Sequence, residues 1–211
     1  LALTSTAKVI SDDYDLKNKL LENDKKKDSN SIEIDDLTKP SDLIKLRAET
    51  DSSALKKRFS DETIYKKNLP SNTSSRSLYN IAEKIRYEAL GGKMLKGIEK
   101  NFQQNYSHII NTKRKDQLKT KEDVSVTEAF ELYMLKNFHQ IELNPLTTKM
   151  LNFWEQDFEQ SIEKHKNFLQ DNLESQDNYS TRFSQILEEM DIFQSEEDEE
   201  KKDENQDQGQ D

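Results

Sequence analysis

Apolar side chains recur every three or four residues in one stretch of the chain after another, and this spacing decides what the chain can fold into. Leu78, Ile81, Ala82, Ile85 and Ala89 form one stripe, and Met94, Ile98, Phe102, Tyr106 and Ile109 a second. Val126, Ala129, Phe130, Tyr133 and Phe138 make a third, and Leu151, Trp154, Phe158, Ile162, His165 and Leu169 a fourth. Phe183, Ile186, Leu187 and Met190 close the series, and a more polar helical region with Leu46, Ala54, Leu55 and Phe59 lies between Pro40 and Pro70. Such spacing gathers apolar groups on one face of a helix. Three valines in 211 residues leave little material for a sheet. The expectation is a mainly α protein, a bundle of about six helices. Two short segments, 15–20 and 31–34, can pair as a small N-terminal β-hairpin across a polar loop.

Several boundaries are also legible. Ser125-Val-Thr-Glu128 has the form of a capping box, in which hydroxyl and carboxylate each satisfy an orphan amide. Pro145 marks a break, with Thr147 or Thr148 placed to cap the next helix. Gly91 and Gly92 follow the first stripe, where a helix end favours a residue free to take positive φ.

Charge divides the chain into two parts. The net charge is −10, with 32 Lys+Arg against 42 Asp+Glu. Residues 195–211 hold nine acids, two lysines and no apolar side chain, a net −7 that leaves −3 for the rest. Nothing in that segment can bury surface to offset the entropy of ordering, so 194–211 is expected to be a disordered acidic tail or the start of a linker, and 1–193 a helical domain. The acidic excess argues against nucleic acid, which needs basic patches. The best basic cluster, Lys25-Lys26-Lys27, is flanked by Asp24 and Asp28 and reads as a solvated loop. No run approaches the ~18 apolar residues of a membrane span. The absence of cysteine excludes disulfides and thiolate chemistry and is compatible with a cytoplasmic location.

Catalytic signatures are missing. The glycines are Gly91, Gly92, Gly97 and Gly209. A phosphate loop ending at Gly92-Lys93 would need glycine at Tyr87 and Ser or Thr at Met94. The histidines His108, His139 and His165 fall on three different segments without metal-ligand spacing, His139 reading as a loop residue and His165 as the edge of a stripe. Paired acids such as Glu188-Glu189 are solvated and not tuned for proton transfer. This chain is expected to be non-catalytic, with no catalytic residue, cofactor or metal site of its own.

The segment from Arg86 to Phe102 is unusual for a plain bundle. Gly97 interrupts the stripe between Met94 and Ile98, where glycine costs about 1 kcal/mol relative to alanine. Gly97 is therefore expected at a close helix–helix approach, or at a surface met by a partner's backbone. Arg86 and Glu88 cannot both lie on the buried face without partners, inside the chain or on a neighbouring subunit.

The same segment resembles the motif RxEALGxxxMxGxxxN of the CobT family, a subunit of aerobic, ATP-dependent cobaltochelatase. Arg86, Glu88, Gly91, Gly97 and Asn101 stand at matching positions, with Ala89 and Leu90, while Met94 stands one residue before the motif's methionine. The stretch from Arg47 to Leu55 is similar to the family's RGxADxxAL, Pro145 to Trp154 to its PxxxxMVDLW, and Gln176 with Phe183–Met190 to the stretch before its acidic linker. The family shows His where this chain has Ser60 and Tyr65, and Gly where it has Ala48. The family continues past an acidic linker into an integrin-like domain with a metal-ion adhesion site, so the likeness is to its N-terminal half.

The resemblance implies an assembly subunit in cobalamin biosynthesis. Its partners would be an AAA+ ATPase subunit and a large corrin-binding chelatase subunit, in a hetero-oligomer. ATP, Mg and cobalt would be handled by that complex, and the six motif residues would form family structure or an interface. The competing expectation is an acidic helical scaffold or interaction module unrelated to chelation.

Overall fold

The computed structural model describes residues 2–14, 39–112, 118 and 120–190. Among the described residues there are ten α-helices, two short 3-10 turns and no strand: α1 (Ala2–Ser11), α2 (Pro40–Phe59), α3 (Glu62–Lys67), α4 (Thr73–Met94), α5 (Lys96–Thr112), α6 (Val126–Phe138), α7 (Pro145–Asn152), α8 (Glu155–Ile162), α9 (Lys166–Asp171) and α10 (Gln176–Glu189). The mainly α fold read from the sequence is what forms. The segments expected to pair as a hairpin, and the acidic tail, lie outside the described residues.

α4 is the central element, packed against α2, α5, α6 and α10, while α1 lies on α2. Asn72 starts α4 by accepting from the amides of Ser74 and Ser75 at 2.7 and 3.1 Å. Leu78, Tyr79, Ala82 and Ile85 of its stripe are at most 1 % exposed. α4 does not stop at the glycine pair. It runs through Gly91 and Gly92 to Met94, neither of these glycines has positive φ, and the Leu95 amide still donates to Gly91 O at 2.9 Å. α5 begins one residue later, making a tight corner.

The helix count exceeds six because long stripes are cut. The stripe over 151–169 is split into α7, α8, a 3-10 turn over Glu163–His165, and α9. α7 begins at Pro145, capped by Asn144, whose Oδ1 accepts from the Thr147 amide at 2.9 Å; the threonines sit inside the helix. α6 starts as expected, with Ser125 Oγ accepting from the Glu128 amide at 3.2 Å. Phe130 joins α6 to α8 and α10 through edge-on contacts with Phe158 and Phe183, at 5.4 and 6.0 Å between ring centres.

Candidate functional site

Two of the buried ionisable side chains of α4, Arg86 and Glu88, stand two residues apart. Two residues turn a helix by about 200°, so these side chains leave opposite sides of it and hold different neighbours.

Arg86 is completely buried. Its Nε and Nη2 donate to the two carboxylate oxygens of Glu83 at 2.9 and 2.8 Å. Nη1 donates to Leu173 O at 2.9 Å, and Nη2 also to Phe59 O at 2.6 Å. Glu83 in turn accepts from Ser60 Oγ and Gln176 Nε2, both at 2.9 Å. One guanidinium thus ties α4 to the end of α2 and to the chain entering α10. Ser60 thus donates to this network.

Glu88 is 1 % exposed and accepts from Ser52 Oγ at 2.6 Å and from Tyr106 Oη at 2.5 Å, linking α4 to α2 and α5. Lys84 Nζ stands 4.0 Å away and over the Tyr106 ring. Burial pushes the carboxyl above its ordinary range, and Lys84 opposes that shift. His139 Nε2 lies 3.8 Å from Glu88 Oε2, beyond hydrogen-bond reach, and is buried without a partner. Burial holds His139 down to about 4, with Lys84 acting in the same direction.

His139 is therefore not an open loop residue. It closes α6, its ring meets those of Phe102 and Tyr106, and its side chain is 7 % exposed. Gln140 follows with φ of 54° in the left-handed position that ends many helices, and the Ile141 amide returns to Leu135 O at 3.2 Å. His108 is exposed and His165 partly so. Among the described residues no three His, Asp or Glu side chains gather as a metal site.

The remaining motif residues divide sharply. Asn101 on α5 donates to Asp51 Oδ2 on α2 at 2.7 Å; burial raises the Asp51 carboxyl, and this bond opposes the rise. Gly91 faces α2 so closely that a Cβ would stand 2.3 Å from Leu55 Cδ1 and 3.0 Å from its Cγ. Gly97 is the reverse: it is exposed, and a Cβ there would meet nothing within 4 Å. The close approach expected at Gly97 is thus at Gly91, because α5 turns the Gly97 side outward while burying Ile98 and Phe102. Met94 also leaves its expected stripe and is 37 % exposed. Of the six candidates, Arg86, Glu88 and Gly91 build the interior joints of α4, Asn101 ties α5 to α2, and Met94 and Gly97 are exposed at the outer corner.

The sequence reading missed Glu83, Ser52, Tyr106 as a polar partner, and His139. Glu83 had a signal, its spacing of three from Arg86. Ser52 lies 36 residues from Glu88, and no local pattern reports a contact of that range.

The family model described as cobalamin biosynthesis protein CobT matches residues 1–211. The chain belongs to the CobT family. Its role therefore lies in cobalamin biosynthesis. No curated protein and no solved structure gives a match. Among the described residues no helix is long and apolar enough to cross a membrane.

Proposed function

We propose that this chain is a non-catalytic assembly subunit of an ATP-dependent cobaltochelatase. It joins an AAA+ ATPase subunit and a large corrin-binding subunit in a cytoplasmic hetero-oligomer, and it helps couple nucleotide turnover to insertion of cobalt into the corrin ring. ATP, Mg²⁺ and cobalt are substrates and ligands of the other subunits. The observation that carries this reading is the CobT family match over residues 1–211. The chemistry of the body agrees with it: Arg86 and Glu88 are spent on holding helices together rather than directed at a ligand.

An omission assay tests the reading. The AAA+ and corrin-binding subunits are mixed with corrin, Co²⁺, Mg²⁺ and ATP, with this protein present or left out, and insertion is followed by the absorbance of the cobalt corrin. Insertion should require the protein, and the purified chain alone should neither hydrolyse ATP nor insert metal. Full-rate insertion without it would favour a helical interaction module unrelated to chelation.

A further inference from the structure

The chain has four methionines, and the fold treats them very unequally. Met134 and Met150 are fully buried and Met190 is 1 % exposed, all three within the hydrophobic core. Met94 is 37 % exposed, in the run from Lys93 to Gly97 in which every residue is exposed. A thioether is oxidised through its sulfur lone pair, so an oxidant has to reach the sulfur. The core is packed as densely as an organic crystal, and a peroxide meets a sulfur inside it only when the fold opens. Cysteine, the other sulfur that would compete for the oxidant, is absent from the chain.

We propose that Met94, at the corner between α4 and α5, is a site of reversible oxidation, converted by hydrogen peroxide to the sulfoxide while the three core methionines are spared. The sulfur lone pair attacks one peroxide oxygen and the O–O bond breaks. The sulfur is oxidised by two electrons and keeps that oxygen, and the other oxygen leaves with both hydrogens as water. A methionine sulfoxide reductase reverses the step: its two thiols become a disulfide and the sulfoxide oxygen leaves as water. The consequence stays at the corner. Leu95, the next residue, is 45 % exposed, and the sulfoxide puts a polar S=O in place of half of this apolar pair. Neither residue packs into the core, so the helices keep their contacts. A sulfoxide at Met134 or Met150 would instead place a polar oxygen among apolar side chains and loosen the fold.

The test exposes the full chain to hydrogen peroxide and follows each sulfoxide against time by mass spectrometry. Digestion after glutamate leaves every methionine in its own peptide. In the folded chain Met94 should oxidise at least tenfold faster than Met134, Met150 and Met190, and in concentrated urea all four should react at similar rates. The chain oxidised at Met94 should keep its helical circular dichroism and its melting temperature, and methionine sulfoxide reductase should restore the thioether. Under the same mild conditions Met94→Leu should take up no oxygen. Rates within twofold of one another in the folded chain would overturn the proposal. Met94 reacting as slowly as the core methionines would overturn it too, and would show that another part of the chain, or a second copy, covers the corner. A melting temperature lowered by the Met94 sulfoxide would place that side chain in the internal packing and contradict a change confined to the surface.

Discussion

Arg86 holds both carboxylate oxygens of Glu83, at 2.8 and 2.9 Å, inside a core where neither side chain reaches water. The pair is held because Leu173 O and Phe59 O accept two of the three remaining guanidinium hydrogens and Ser60 and Gln176 donate to Glu83. Removing one member strands the other. Arg86→Met should destabilise the chain by about 3–5 kcal/mol, as breaking a buried pair does. The double variant Arg86→Met/Glu83→Leu should recover much of that loss. Urea unfolding of the three variants measures both numbers; a single variant within 1 kcal/mol of wild type would contradict the network.

Gly91 and Leu55 form a contact that tolerates no methyl group. Leu55 is fully buried, so it cannot swing into solvent when a Cβ arrives at 2.3 Å. Gly91→Ala should therefore cost about 1–3 kcal/mol despite alanine's better helix propensity. In a Leu55→Val background the same change should cost less. Equal costs in the two backgrounds would place the clash elsewhere.

Gly97→Ala should act in the opposite direction. With no atom within 4 Å of the added Cβ, the exposed helix gains up to about 1 kcal/mol. A lower unfolding midpoint in the isolated variant would mean that an internal neighbour occupies that space.

Acid should weaken the fold through His139. Its native pKa is about 4 against an ordinary 6.5, so between these values the unfolded chain takes up a proton that the native chain refuses. Stability falls as pH drops through this window, by on the order of 3 kcal/mol at its lower end. Glu88 works the other way. Its raised pKa means that the native state keeps a proton above 4.5 that the unfolded state has lost, so its contribution falls as pH rises. His139→Leu should flatten the loss between pH 6.5 and 4 and leave the Glu88 limb in place. Unfolding free energy against pH for both proteins is the measurement. Parallel curves between pH 6.5 and 4 would show that His139 is not buried neutral.

The helices were legible because their signals are local. The stripe from Leu78 to Ile85 is the buried face of α4, and Ser125 caps α6 from a four-residue pattern. The breaks within 151–169 were not, since periodicity continues across a 3-10 turn when both sides face one core. The motif was legible as a unit, but its division was not. Gly91 and Gly97 look alike in sequence, and only the position of Leu55, 36 residues before Gly91, makes one a contact and leaves the other open. Glu88 and His139 likewise meet across 51 positions, at the end of a helix whose closing turn through Gln140 gives no sequence signal because glycine is absent.

Sedimentation velocity of this protein mixed with the AAA+ subunit of the chelatase, at micromolar concentration with ATP, tests the central claim most directly. An assembly subunit should leave its own slow boundary and sediment with the ATPase, and its partner's ATP hydrolysis should persist in the complex. Two independent boundaries at every ratio, with nucleotide present, would contradict the account.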